Sequence, residues 1–217
     1  MQQRVITVVL LIGLCFGLIT LGAGVSSWRL PDNEQGYAPK QPIDYSHRLH
    51  AGELGIDCMF CHSAADKSRH AGIPSSDVCM KCHKVVTSSF DVLQDEMNKA
   101  DEEKRKPKQI VSDELRKLYD TLALDETLQP QRGATAKSIP WVRVHNLPDH
   151  VHFDHRAHVA AEVTCQKCHG PVESMQRMEQ YESLTMGWCV NCHQESTKTG
   201  INGKSVDAKT DCAVCHY

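Results

Sequence analysis

Aromatic side chains are scarce in this 217-residue chain: four Phe, five Tyr and three Trp, 6% in all. Such rings normally carry much of the buried area of a core, so a conventional side-chain core of this size is not expected. Charge of one sign is lacking as well. The formal net charge of −3 excludes the basic excess that marks nucleic-acid binders. Isolated cysteines are almost absent, since only Cys15 of the eleven stands outside a C-x-x-C pair. Cysteines that close together are poorly placed to staple a fold, which argues against a disulfide framework.

What the chain has instead is one motif five times. C-x-x-C-H occurs at Cys58–Cys61–His62, Cys79–Cys82–His83, Cys165–Cys168–His169, Cys189–Cys192–His193 and Cys212–Cys215–His216. It is the attachment signature of a c-type haem. Two thiols add to the two vinyl groups of one porphyrin, so they stand about one helical turn apart. The following His then lies under the iron as proximal ligand. The competing reading is structural zinc. Zinc ribbons combine C-x-x-C units in pairs, which fits an odd number of units with a constant trailing His poorly. Five covalently bound haem c groups would supply the apolar bulk that the aromatic count lacks.

Eight His remain outside the motifs. Two pairs precede them in a repeated pattern: His47 and His50 in YSHRLH, His155 and His158 in FDHRAH. With His145 and His150 they are the candidate sixth ligands. His152 alternates with His150 and would face the other way in an extended segment, while His70 lies in a loop and reads equally as ligand or surface residue. Met186, just before Cys189, is either a buried apolar residue or an axial thioether that would raise that haem's potential.

Val5–Val25 carries no charged residue and is long enough to cross a bilayer as a helix. A cleaved signal peptide is the rival, with Gly22-Ala23-Gly24 as a conceivable cleavage site. The length favours a retained single-pass anchor, with Trp28 near the outer interface. Arg4 ahead of the span places the N-terminus in the cytoplasm and the remainder in the periplasm. The organisation expected is an anchor at 1–30, a linker at 31–42 and a two-haem module at 43–92. A charged, helical insertion follows at 93–138, then a three-haem module at 139–217. Within the insertion, Ser112 is placed to cap a helix with Asp113 and Glu114 in its first turn. Val111, Leu115, Leu118, Tyr119 and Leu122 form one apolar stripe along it, either packed inward or offered to a partner. The fold class expected is mainly α and irregular, packed around haem, with one N-terminal transmembrane helix.

The paired His before C-x-x-C-H resembles class III multihaem cytochromes of the cytochrome c3 and c7 type. Over HAGELGIDCMFCHSAADKSRHAGIPSSDVCMKCH, WVRVHNLPDHVHFDHRAH and LTMGWCVNCH the chain resembles the pentahaem subunit of bacterial alternative complex III. That resemblance implies an electron-transfer subunit of a quinol:electron-acceptor oxidoreductase in the bacterial inner membrane. It implies polytopic quinol-oxidising and iron–sulfur partners, and a monohaem cytochrome c or terminal oxidase as acceptor. The resemblance to cytochrome c3 spacing suggests His47 as sixth ligand of the first haem and His155 of the third, with His50 and His158 serving more distant haems. Two alternatives stand beside it: a stand-alone membrane-anchored quinol dehydrogenase feeding a periplasmic reductase, and a multihaem reductase with an open iron position. The intact mass of the mature protein is expected to exceed the polypeptide mass by five haem groups. Zinc in place of iron would end this reading.

Overall fold

The computed structural model describes residues 2–27, 34–125 and 127–216. Trp28 and the first residues of the expected linker, 31–33, lie outside them. Helix α1 (Gln2–Ser27) begins the chain. Its stretch Gln3–Leu21 is long and apolar enough to cross a membrane, and its side chains are exposed on every face. The Thr7 and Thr20 hydroxyls donate back to the Gln3 and Phe16 carbonyls, each at 3.0 Å. Both hydroxyls are thereby satisfied within the helix, as an apolar surrounding requires.

Short helices joined by irregular segments make up the rest. A π-helical turn (Arg48–Glu53) precedes α2 (Cys58–Cys61) and α3 (Ser76–His83). Next come α4 (Phe90–Glu102) and α5 (Asp113–Thr121). Then follow α6 (His155–Ala160), α7 (Gln166–His169), a 3-10 turn (Val172–Ser174), α8 (Met186–Thr199) and α9 (Cys212–Cys215). Among the described residues, pairing of extended backbone is limited to isolated bridges such as Val151 with His216. The architecture is helical and irregular, as composition and motif spacing predict.

The apolar core is small. Among the described residues its buried members are Ala65, Ala100, Leu118, Tyr119, Ala123 and Met175. Half of it belongs to α5 and its neighbours, so the inserted segment is packed inward at Leu118 and Tyr119. Ser112 caps α5 as predicted, its Oγ accepting from the Leu115 N–H at 3.4 Å. The Tyr119 hydroxyl donates to the His83 carbonyl, and the Ser112 N–H donates to Thr87 O at 2.9 Å. These bonds fasten the insertion to the second C-x-x-C-H motif. The charged run beyond α4 is also tied down. Arg105 turns back onto Glu96, and the Lys108 N–H donates to the same carboxylate. The Arg105 hydrogen bond, then the Lys108 N–H, holds the Glu96 carboxyl down to about 2.

The two motif-bearing segments interlock. The π-helical turn lies on residues 172–176, with Arg48 N–H donating to Met175 O at 2.9 Å and Ser46 Oγ to Gln176 Oε1 at 2.8 Å. The approach is so close that a Cβ on Gly52 would lie 2.2 Å from Glu173 O, so only glycine fits there. Gln180, 1% exposed, joins the linker to the later segment. Its backbone pairs with Gly36 and Tyr37 at 2.7 and 3.0 Å, and its Oε1 accepts from Asn146 N–H at 3.2 Å.

Leu118→Ala is expected to cost about 2–5 kcal/mol, the usual range for truncating a buried leucine, read as a lower midpoint in denaturant unfolding. Phe90→Ala, at a side chain 80% exposed, should change stability by less than about 0.5 kcal/mol. Equal effects would contradict the inward packing of α5.

Candidate functional site

Each motif is built on a helical turn. In α2 the Asp57 carboxylate caps the turn by accepting from Met59 N–H at 2.7 Å. The His62 N–H then donates to Cys58 O at 2.9 Å, closing the turn that carries both thiols and the imidazole. His169 closes on Cys165 at 3.0 Å and His216 on Cys212 at 2.9 Å. The second and fourth motifs sit on longer helices, α3 and α8, the latter capped by the Thr185 hydroxyl at 3.4 Å from Trp188 N. The short-then-long order thus occurs in both halves. Each half is also preceded by a helical turn bearing the paired His, with His47 and His50 at the π-helical turn and His155 and His158 on α6.

The imidazoles share one tether. His62 Nδ1 donates to Gly72 O at 2.6 Å, His83 Nδ1 to Val86 O at 2.8 Å, and His193 Nδ1 to Lys209 O at 2.6 Å. His216 Nδ1 faces His150 O at 3.4 Å. Among the upstream residues, His50 donates to Ser46 O at 2.9 Å, His155 to Arg69 O at 2.8 Å and His158 to Asp154 O at 2.9 Å. A proton held at Nδ1 leaves the lone pair on Nε2, which is the state in which imidazole ligates a metal. Burial keeps several rings neutral. It lowers the His47 pKa to about 4, aided by His62 and His50, and that of His169 to about 3, aided by His145 and His155. His47 Nδ1 is buried without a hydrogen-bond partner.

Motif and upstream imidazoles face each other in pairs. Ring centres are 6.1 Å apart for His50 and His83, 6.4 Å for His155 and His169, 6.0 Å for His158 and His193, and 5.5 Å for His150 and His216. Two metal–nitrogen bonds of about 2 Å in line put ring centres roughly 6 Å apart, so these spacings fit one iron between two imidazoles, the porphyrin supplying the other four nitrogens. Burial pushes the Cys168 thiol up to about 11 and raises Cys58, Cys61, Cys79 and Cys189. Among the described residues, no group of three or more His, Cys, Asp or Glu is arranged to hold a metal ion by itself. The donor set fits haem c.

Residues 151–217 match the family model described as cytochrome c7 and related cytochrome c. The "Menaquinone reductase, multiheme cytochrome c subunit" of Nitratidesulfovibrio vulgaris is 26% identical over 210 residues, covering 87% of this chain and 82% of that protein. The part of the chain from residue 151 on is thus similar to a cytochrome c7-like multihaem domain.

Thiols of different motifs lie close to one another. After burial, the largest influence on Cys61 is the thiol of Cys82, and that on Cys79 is Cys61. Cys58 is raised by burial first and then by the neighbouring thiol of Cys165. Cys168 is raised by Cys192 and Cys189, and Cys189 by Cys215. The second motif thus neighbours the first, the first the third, the third the fourth, and the fourth the fifth. His145 also reaches the third motif, its ring centre 4.3 Å from that of His169. Met186 is 66% exposed at the start of α8, and His70 and His152 are exposed.

Motif reasoning had no means of singling out Arg69. Its carbonyl accepts from both the backbone N–H and Nδ1 of His155, at 3.2 and 2.8 Å. Its guanidinium donates to Phe153 O at 3.0 Å and Val151 O at 3.4 Å. Arg69→Met keeps the stem and the carbonyl but removes the guanidinium, so it should cost about 1.5–3 kcal/mol, the range for charge-assisted hydrogen bonds. Denaturant unfolding followed by circular dichroism measures it. An unchanged midpoint would show that this joint carries no stability.

Proposed function

We propose that this chain is a pentahaem electron-transfer subunit of a quinol-linked membrane complex. The observation that carries the reading is the pairing of motif imidazoles with upstream imidazoles at 5.5–6.4 Å. Ten cysteines would hold the groups covalently: Cys58 and Cys61, Cys79 and Cys82, Cys165 and Cys168, Cys189 and Cys192, Cys212 and Cys215. Proximal ligation falls to His62, His83, His169, His193 and His216. The sixth positions fall to His47 opposite His62, His50 opposite His83, His155 opposite His169, His158 opposite His193, and His150 opposite His216. For His47 the support is its burial beside His62. Haem c, when bound, supplies one-electron exchange between ferric and ferrous iron.

The protein's own part is to fix and separate. Nδ1 tethers hold the imidazoles in one tautomer, and the interlocked segments keep neighbouring motifs adjacent in single file. Cys79–His83 and Cys212–His216 lie at the two ends of the file. With haem bound, these imidazoles would lie on both sides of each iron and leave substrate no exchangeable site, so the subunit would conduct electrons and make no bonds. Helix α1 serves as the retained anchor, N-terminus cytoplasmic and haem-bearing part periplasmic.

The resemblance to alternative complex III favours quinol oxidation. Electrons would then arrive from polytopic quinol-oxidising and iron–sulfur subunits and leave to a monohaem cytochrome c or terminal oxidase. A second reading, flow toward quinone, is favoured by the Nitratidesulfovibrio vulgaris relative, a menaquinone reductase subunit. Copurification in mild detergent, followed by quinol-driven reduction or quinone-driven oxidation of the isolated complex, separates the two. The conduit reading predicts a reduced protein that is low-spin throughout and binds no carbon monoxide. A stoichiometric carbon monoxide shift on even one native haem would overturn it in favour of a reductase with an open position.

A further inference from the structure

Six upstream imidazoles lie near five motifs, so one is left over. We infer that His145 is not a sixth ligand but a positioning residue, which accepts the Nδ1 proton of His169 and tunes the third haem through that proximal imidazole. This inference rests on the haem-ligand reading above.

The geometry separates His145 from the other candidates. His145 Nε2 stands 3.2 Å from His169 Nδ1, with the rings edge to face at 77° and their centres 4.3 Å apart. That is too close for an iron between them. It is also the wrong side of the ring, because Nδ1 and Nε2 of one imidazole point in divergent directions. The group on Nδ1 is behind the ligand, not across the metal. His155 occupies the other kind of position, 6.4 Å away with its ring within 8° of parallel. Its own Nδ1 is tied to Arg69 O, which leaves Nε2 for ligation. For His145 the nitrogen that would bind iron is the one already engaged with His169.

The third motif therefore differs from its neighbours. His62, His83 and His193 give their Nδ1 protons to backbone carbonyls, acceptors that no substitution at their own position changes. His169 gives its proton to a side chain. An imidazole nitrogen is a more basic acceptor than a peptide carbonyl, and a stronger acceptor at Nδ1 makes the ligating nitrogen more basic. A more basic ligand favours the ferric state, so His145 holds the third haem at a lower potential than a carbonyl would. The third motif lies mid-file, so this one hydrogen bond sets the step between the two halves of the protein.

The test uses the full-length holoprotein in detergent, as wild type, His145→Ala, His145→Gln and His155→Ala. Intact mass counts the haems, and spectroscopic redox titration with electron paramagnetic resonance reads spin state and potentials. His145→Ala is expected to keep five low-spin haems while one of five potentials rises. His145→Gln, which returns an amide oxygen as acceptor, should bring that potential part of the way back. His155→Ala should instead turn one haem high-spin. A high-spin or carbon monoxide-binding haem in His145→Ala would make His145 a ligand and overturn the inference, as would five unchanged potentials. If His145→Ala fails to mature, His145→Gln decides. One shifted potential with all haems low-spin upholds the positioning role, and a high-spin haem or five unchanged potentials defeats it. Wild type lacking haem at Cys165 and Cys168 would sink the haem reading itself, a result distinct from either.

Discussion

A hydrogen bond from imidazole Nδ1 to a fixed acceptor is the interaction on which this protein depends. It selects the tautomer, leaves the Nε2 lone pair free and stops the ring from turning. Seven imidazoles face main-chain carbonyls in this way, and those carbonyls belong to loops as distant as Gly72, Lys209 and Arg69. The irregular backbone is thus not mere connection. Its carbonyls hold the imidazole rings in place, which explains how a chain with so little regular structure keeps a defined arrangement of them.

The same economy governs the packing. Six small or medium apolar groups make up the described buried core, and Tyr119 is its aromatic member. Cohesion comes instead from polar joints between segments far apart in sequence: Arg48 and Ser46 on residues 175–176, Gln180 on 36, 37 and 146, and the Arg69 guanidinium on 151 and 153. Each joint involves backbone groups, which must be paired once water is excluded. The insertion follows the same rule, since Tyr119 reaches the carbonyl of a motif His rather than a partner side chain.

Single-file order has a functional reading under the proposed role. The second motif ends one side and the fifth the other, so the two halves meet between the first and third motifs, where Cys58 and Cys165 adjoin. Interlocking of the π-helical turn with residues 172–176 fixes that junction. A relay broken there would separate a two-haem from a three-haem segment, so the close approach of Gly52 to Glu173 lies where positional precision matters.

The sequence alone determined the covalent chemistry and the local structure. C-x-x-C-H needs one helical turn, and the turn forms wherever the motif occurs because its hydrogen bond runs from the His to the first Cys. The Ser112 cap, the α5 stripe and the apolar length of α1 were legible for the same reason: their causes lie within a few residues. Which upstream His faces which motif was not legible. His145, His150, His155 and His158 crowd one short stretch with the same side chain, and nothing local ranks them. Their partners are 24, 66, 14 and 35 residues away, so long-range packing alone decides that His155 stands across from His169 while His145 stands behind it. Gly52, Arg69 and Gln180 stayed hidden for the same reason. Each acts through a contact with backbone far along the chain, and such contacts leave no periodicity or spacing to read.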